Sequence, residues 1–302
     1  MFSVERMLYA LSGLITDPLI TDYFAIFLPR LISTHRMSGY IDAHNHLQAT
    51  GLEPFLGQVI PACEDLGVAG MIVNGITEQD WDRINDLASR HAFVTPSYGV
   101  HPWYLKEKQA GWETRLEQRL IADPKAHVGE VGLDLWMPDP DLSAQIESLQ
   151  RSLQIAERNR RAITIHCLQA WERLLDVLRS GPLPSRGFLL HAYSGPLEWV
   201  EQFAELGAYF SFSGYFLNPG KEQRLAPFRE IPSDRLLAET DAPSMLLPDS
   251  QSEFRLPPAP DGEPINHPGN IRAVYAALSG LRKVDLSDLV QICAENANRL
   301  FG

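Results

Sequence analysis

Eight short runs of apolar and β-branched residues recur along this chain, and most are separated by longer stretches with helically spaced apolar residues. No other feature constrains the fold as strongly, because strands separated by helices pair in parallel through crossover connections. The runs fall at residues 40–43, 69–74, 93–100, 127–133, 162–166, 187–191, 208–213 and 236–241. Candidate helices lie at 52–66, 79–91, 112–122, 143–160, 170–179, 197–206 and 221–229, with two more at 271–281 and 286–300. Eight strand-then-helix units predict an α/β fold of the (β/α)8 TIM-barrel type. An open doubly wound sheet is the rival architecture. Length does not choose between them, since 302 residues with 45% hydrophobic content suit one barrel or two ordinary domains.

What separates the two architectures is where the polar residues fall. His44, His46, Glu130, His166, His191 and Asp241 all lie in the C-terminal half of an expected strand or just past its end. Barrel enzymes place their chemistry at that rim. In Asp42-Ala43-His44-Asn45-His46 the two imidazoles are two residues apart, so extended backbone turns both to one side. Two such rings can share an ion, and Asp42 is placed to orient one of them by accepting its second N–H. Glu130 interrupts the buried run Val128-Gly129-Glu130-Val131-Gly132, where a carboxylate needs a cation or a basic side chain as partner. His166 and His191 each close a mainly apolar run, and Asp241 ends the eighth. Singly, each has an ordinary explanation as a hydrogen-bonded core histidine or a helix cap. Together, four histidines and two carboxylates suit one or two divalent ions, with Mg2+, Mn2+ and Zn2+ all compatible with the donor set. Glu130 is the candidate bridge between two ions and Asp241 the candidate proton acceptor.

These motifs resemble the TatD family of metal-dependent hydrolases, within the wider amidohydrolase-like barrels. The matching segments are 41–47, Gly99-Val100-His101-Pro102, 129–134, Ile165-His166, 191–195, Glu239-Thr240-Asp241-Ala242-Pro243 and the closing 296–301. The resemblance implies that the same six residues bind metal, that His101 contacts a substrate phosphate, and that the activity is a DNase's, often exonucleolytic. Two departures weaken the nucleic-acid part. Leu168 stands where the family commonly carries an arginine, and Asn266-His267-Pro268 lacks the family's acidic residue. Lysine and arginine total 26 against 38 acidic residues, so the net charge of -12 provides no general attraction for a polyanion. Trp103, Tyr104 and Trp136 follow strand ends and either stack bases or pack on neighbouring loops. The expected substrate is therefore DNA, single-stranded or at its 3' ends. A small-molecule amide, ester or lactone is the alternative, and a barrel that binds metal without turnover is the third reading.

Residues 1–36 stand apart as an N-terminal extension, read as a poorly docked segment or the product of a start codon placed too early, or else as an amphipathic helix packed on the barrel, with the domain itself at 37–302. Asp17, Pro18, Asp22 and Arg30 break their apolar runs well short of the ~20 residues that span a bilayer. Glu5 offsets Arg6 where a secretory leader would be basic. Cys63, Cys167 and Cys293 have no paired spacing, which fits a reducing cytoplasm. The proline-rich stretch 247–268 is too long for a routine connection and reads as a lid or a substrate-facing wall.

Overall fold

A computed structural model describes residues 39–259 and 262–302, so the expected extension over 1–36 lies outside the described residues. Eight strands form one sheet: β1 (Tyr40–Asn45), β2 (Val68–Asn74), β3 (Val94–Tyr98), β4 (His127–Asp134), β5 (Ile163–Leu168), β6 (Phe188–Leu190), β7 (Ala208–Ser213) and β8 (Leu236–Glu239). Their spatial order is their chain order, and every pairing is parallel. A doubly wound sheet would change direction at a switch point; here β8 instead returns to β1. The seam is closed by the Asp241 amide donating to the His44 carbonyl at 3.0 Å and the His46 amide to the Ala242 carbonyl at 2.7 Å. The architecture is a (β/α)8 barrel.

Helices α1 (Leu56–Asp65), α2 (Trp81–Arg90), α3 (Trp112–Ala122), α4 (Leu142–Arg158), α5 (Trp171–Ser180), α6 (Val200–Glu205), α7 (Pro227–Glu230), α8 (Ile271–Arg282) and α9 (Leu286–Phe301) follow. The longest, α4, shows why such sequence becomes helix. Its buried side chains include Gln145, Ser148, Leu149, Ser152, Leu153 and Ala156, one stripe at helical spacing. Asp141 caps it by accepting the Ala144 amide at 3.0 Å. The two last helices are tied to the barrel by buried polar contacts. The Tyr275 hydroxyl of α8 donates to the Ile41 carbonyl at 3.1 Å, and the Asn296 amide of α9 donates to the Leu236 carbonyl at 2.7 Å.

Three elements differ from expectation. The helix expected at 221–229 is only the single turn α7, preceded by the 3-10 turn Glu222–Leu225, because Pro227 lacks an N–H and is tolerated only at a helix start. The eighth strand stops at Glu239, since Asp241 turns to a left-handed φ of 51°. Among the described residues, none of the stretch 247–268 lines the main cleft, whose lining runs only as far as Met245. Asn270 pins that stretch by accepting the amides of Glu253 and Phe254 at 3.0 and 2.9 Å.

Candidate metal centre

Strand β4, which carries Gly129 and Gly132 on either side of Glu130, sets the geometry of the site. Gly132 has a φ of 150°, and a Cβ there would lie 1.9 Å from the His166 carbonyl oxygen. The absent side chain lets β4 and β5 approach closely, with Gly132 opposite His166. Glu130 consequently projects into the barrel mouth, 2% exposed. Burial opposes its charge, but His191, His101 and His44 hold the carboxyl well below the usual carboxylate range.

Its two oxygens face different partners. Oε2 lies 3.4 Å from His44 Nε2 and 3.3 Å from His46 Nε2. The same two nitrogens are 3.2 Å apart and stand 3.5 and 3.3 Å from Asp241 Oδ1. These lengths match the edge of a tetrahedron with zinc-type bonds of ~2.0–2.1 Å, which is roughly 3.3–3.4 Å. Hydrogen bonding alone does not explain them, because one ring nitrogen has one hydrogen at most and here meets three partners. Oε1 faces a second set: His191 Nε2 at 2.8 Å and His166 Nδ1 at 3.1 Å, with those nitrogens 3.2 Å apart.

The outward nitrogens decide the tautomers. His46 Nδ1 lies 2.8 Å from the Asn74 carbonyl, which only accepts, so the proton is there and the inward Nε2 offers a lone pair. His166 Nε2 lies 3.0 Å from Asp134 Oδ2, which leaves Nδ1 free to ligate. His191 Nδ1 lies 3.5 Å from Glu239 Oε1, and the Ser211 hydroxyl holds the other oxygen of Glu239. Such outer carboxylates and carbonyls orient metal-binding imidazoles. Among the described residues His44 Nδ1 has no hydrogen-bond partner, and its ring instead stacks on that of His191 at 3.9 Å. Burial resists protonation of His46 and His191, yet the facing carboxylates outweigh it and lift both well above the ordinary imidazole range. A divalent cation would take the place of those protons. The donor set, the spacing and the tautomers all fit metal.

His101 differs. Its Nδ1 accepts the Trp103 amide at 3.2 Å, so Nε2 carries the proton and points a donor at Glu130 Oε1, 3.6 Å away. Burial depresses its pKa to about 3, keeping it neutral. A neutral N–H donor suits an anionic oxygen better than it suits a cation, although its ring nitrogen is near enough to Glu130 and His166 to complete a three-residue ligand group.

The structure revises one sequence assignment. Asp42 orients no ring: its carboxylate accepts the Thr240 amide at 2.9 Å and the Thr240 hydroxyl at 2.5 Å, bracing the β1–β8 seam, and burial raises its pKa to about 7. His267 also has a structural part, accepting the Gly269 amide at 2.8 Å and stacking on Phe254. Conversely, sequence reasoning gave no role to Asp134 and Glu239. Both sat inside quoted motifs, and the signal available was a second carboxylate near a ligand in each.

The centre opens into a cleft of about 730 Å³. Trp103 and Trp136 stack on each other at 6.1 Å on one wall and remain 45% and 59% exposed. Lys221 and Arg224, also unsuspected, supply the cleft's cations, while Leu168 adds none.

Fold and site together define a barrel-type metal-dependent hydrolase. Residues 41–302 match the family described as TatD related DNase, and the chain belongs to that family. The uncharacterized metal-dependent hydrolase YjjV of Escherichia coli is 28% identical, the match covering 87% of this chain and 97% of the relative. Its crystal structure superposes with a TM-score of 0.78 over the same shares. The 3'-5' ssDNA/RNA exonuclease TatD of Erwinia tasmaniensis is 30% identical, covering 81% of this chain and 92% of that protein. A TatD family hydrolase from Entamoeba histolytica, 17% identical with a TM-score of 0.74 and covering 88% and 98%, shares the fold. Among the described residues no helix is long and apolar enough to cross a membrane.

Proposed function

We propose that the protein is a two-metal phosphodiesterase that trims single-stranded DNA from its 3' ends. The observation that carries this reading is Glu130, whose two oxygens face separate donor sets. His44, His46 and Asp241, grouped around Glu130 Oε2, would hold one divalent ion, and His166 and His191, grouped around Glu130 Oε1, would hold a second. Mg2+, Mn2+ and Zn2+ remain the candidate ions, the imidazoles favouring zinc and the carboxylates admitting magnesium or manganese. When bound, such a pair polarises the phosphoryl group and makes water acidic enough to attack at neutral pH.

The chain's own residues do the rest. Asp241 keeps Oδ1 beside the inward nitrogens of His44 and His46, where it would ligate, and takes the attacking water's proton on its other oxygen. His101 donates its Nε2–H to a non-bridging phosphate oxygen. Trp103 and Trp136 offer a base an exposed aromatic face. The ssDNA/RNA exonuclease named among the relatives supports the choice of polymer and direction. A cytoplasmic setting is supported by Cys63, Cys167 and Cys293, all free and buried.

The test is cleavage of end-labelled single-stranded DNA by metal-stripped protein resupplied with each ion, beside Asp241→Asn. Metal-dependent release of mononucleotides that vanishes in the variant is expected. Absence of cleavage with every ion would refute the nuclease reading and leave a small-molecule ester or amide as substrate.

A further inference from the structure

A second cleft, of about 430 Å³, opens beside the first and has no part in the reading above. That volume lies within the ~300–1,000 Å³ of ordinary ligand sites. Leu168, Gln169, Ser194 and Arg224 line both cavities, so the two form one groove with a waist. Arg224 stands at that waist. Its guanidinium is held by the Ser194 carbonyl, and its backbone amide donates to the Lys221 carbonyl at 2.8 Å. Lys221 itself lines the main cleft, its ammonium 4.3 Å from the centre of the Tyr215 ring.

Beyond the waist the wall is mainly apolar, built from Trp171, Pro196, Leu197, Ala226 and Pro227, with Gln223 adding an uncharged polar side chain. Leu197 is 41% exposed there. Among the described residues no aspartate or glutamate lines this second cleft, although acidic residues outnumber basic ones 38 to 26 in the chain. A cation at the junction, apolar surface past it and no opposing acid together describe a place for an anionic linkage followed by a flat, weakly polar group.

We propose that the second cleft is a subsite for the next nucleotide of a single-stranded nucleic acid, with Arg224 gripping the phosphate one step along from the scissile one. The proposal rests on the phosphodiesterase reading. A guanidinium offers two parallel N–H donors to a phosphate, and apolar walls accept bases of any sequence. A small compact substrate would need only the main cleft, whereas a strand crosses the waist.

The test compares kcat/KM on the thymidylate dinucleotide, which has only the scissile phosphate, with that on the trinucleotide, which has the next one too. The metal-loaded wild-type protein is measured beside Arg224→Ala and Ala226→Trp, the second filling the cleft past the waist. Wild type is expected to prefer the trinucleotide by about tenfold or more, the scale of a charge-assisted hydrogen bond, mainly through KM. Both variants should bring that ratio towards one. The ratio is internal to each protein, so a loss of folded material cancels. A wild-type ratio near one, or a ratio unchanged in both variants, overturns the subsite alone. Failure of wild type to cleave either oligonucleotide sinks the phosphodiesterase reading and the subsite with it.

Discussion

Replacing Asp134 by asparagine should weaken one ion of the pair and spare the other. The carboxylate accepts four hydrogen bonds: His166 Nε2 at 3.0 Å, Trp103 Nε1 at 2.8 Å, and the amides of Trp136 and Met137 at 2.7 and 3.1 Å. Burial works against its charge, but the bonds from His166 and Trp103 hold it down at about 2, so it is ionised at neutral pH. Asparagine has one acceptor oxygen. The two backbone amides converge on Oδ1 and will keep it, which turns the new NH2 group towards His166 and Trp103, both donors. His166 then loses the partner that fixes its tautomer, and Nδ1 no longer presents a dedicated lone pair to the cluster at Glu130 Oε1. Loss of such an outer partner typically weakens a metal site by about 10–100-fold, or ~1.4–2.7 kcal/mol. The set at Glu130 Oε2 has no contact with Asp134, since His46 is oriented by the Asn74 carbonyl instead. Isothermal titration of metal-stripped protein should therefore resolve two classes of site in the variant, one shifted by that factor and one within about twofold of wild type. Equal weakening of both ions, or of neither, would refute the assignment of His166 and Asp134 to a separate ion.

Two other perturbations test the frame around the centre. His127 lies at the start of β4, its Nε2 donating to the Phe301 carbonyl at 2.9 Å, and burial holds its pKa at about 3. Because the unfolded chain binds this proton near pH 6.5 and the folded chain does not, stability is full above 6.5 and falls towards pH 3 by up to ~1.4 kcal/mol per unit. Urea titrations should show a shallower decline between pH 6.5 and 4 in His127→Gln; an unchanged slope would contradict it. Gly132→Ala must push a methyl into the His166 carbonyl, so it should cost about 3 kcal/mol or more in urea unfolding and also strip metal. A variant with wild-type stability and metal content would show that β4 and β5 are not so tightly apposed.

Local sequence carried the elements well where one pattern dominated. The helix expected at 112–122 is α3 residue for residue, because its apolar spacing and the preceding Gly111 agree. The helix expected at 221–229 dissolved into turns, because periodicity does not register what Pro227 forbids. The HxH pair was legible for the same local reason, since two residues along a strand return to one face. Asp42 was misassigned because its true partner, Thr240, is 198 residues away and meets it only when the barrel closes.

The chain's order of short apolar runs and polar strand ends determined the barrel, and with it which six side chains crowd its mouth. Those properties follow from backbone periodicity, which acts over a few residues. Which oxygen of Glu130 faces which histidines, that Asp134 and Glu239 aim two of the rings, and that Lys221 and Arg224 bring positive charge to the cleft that Leu168 also lines were decided only by the closed barrel. Lone pairs and hydrogen bonds are directional over about 3 Å, and that precision is reached only when distant strands are packed side by side.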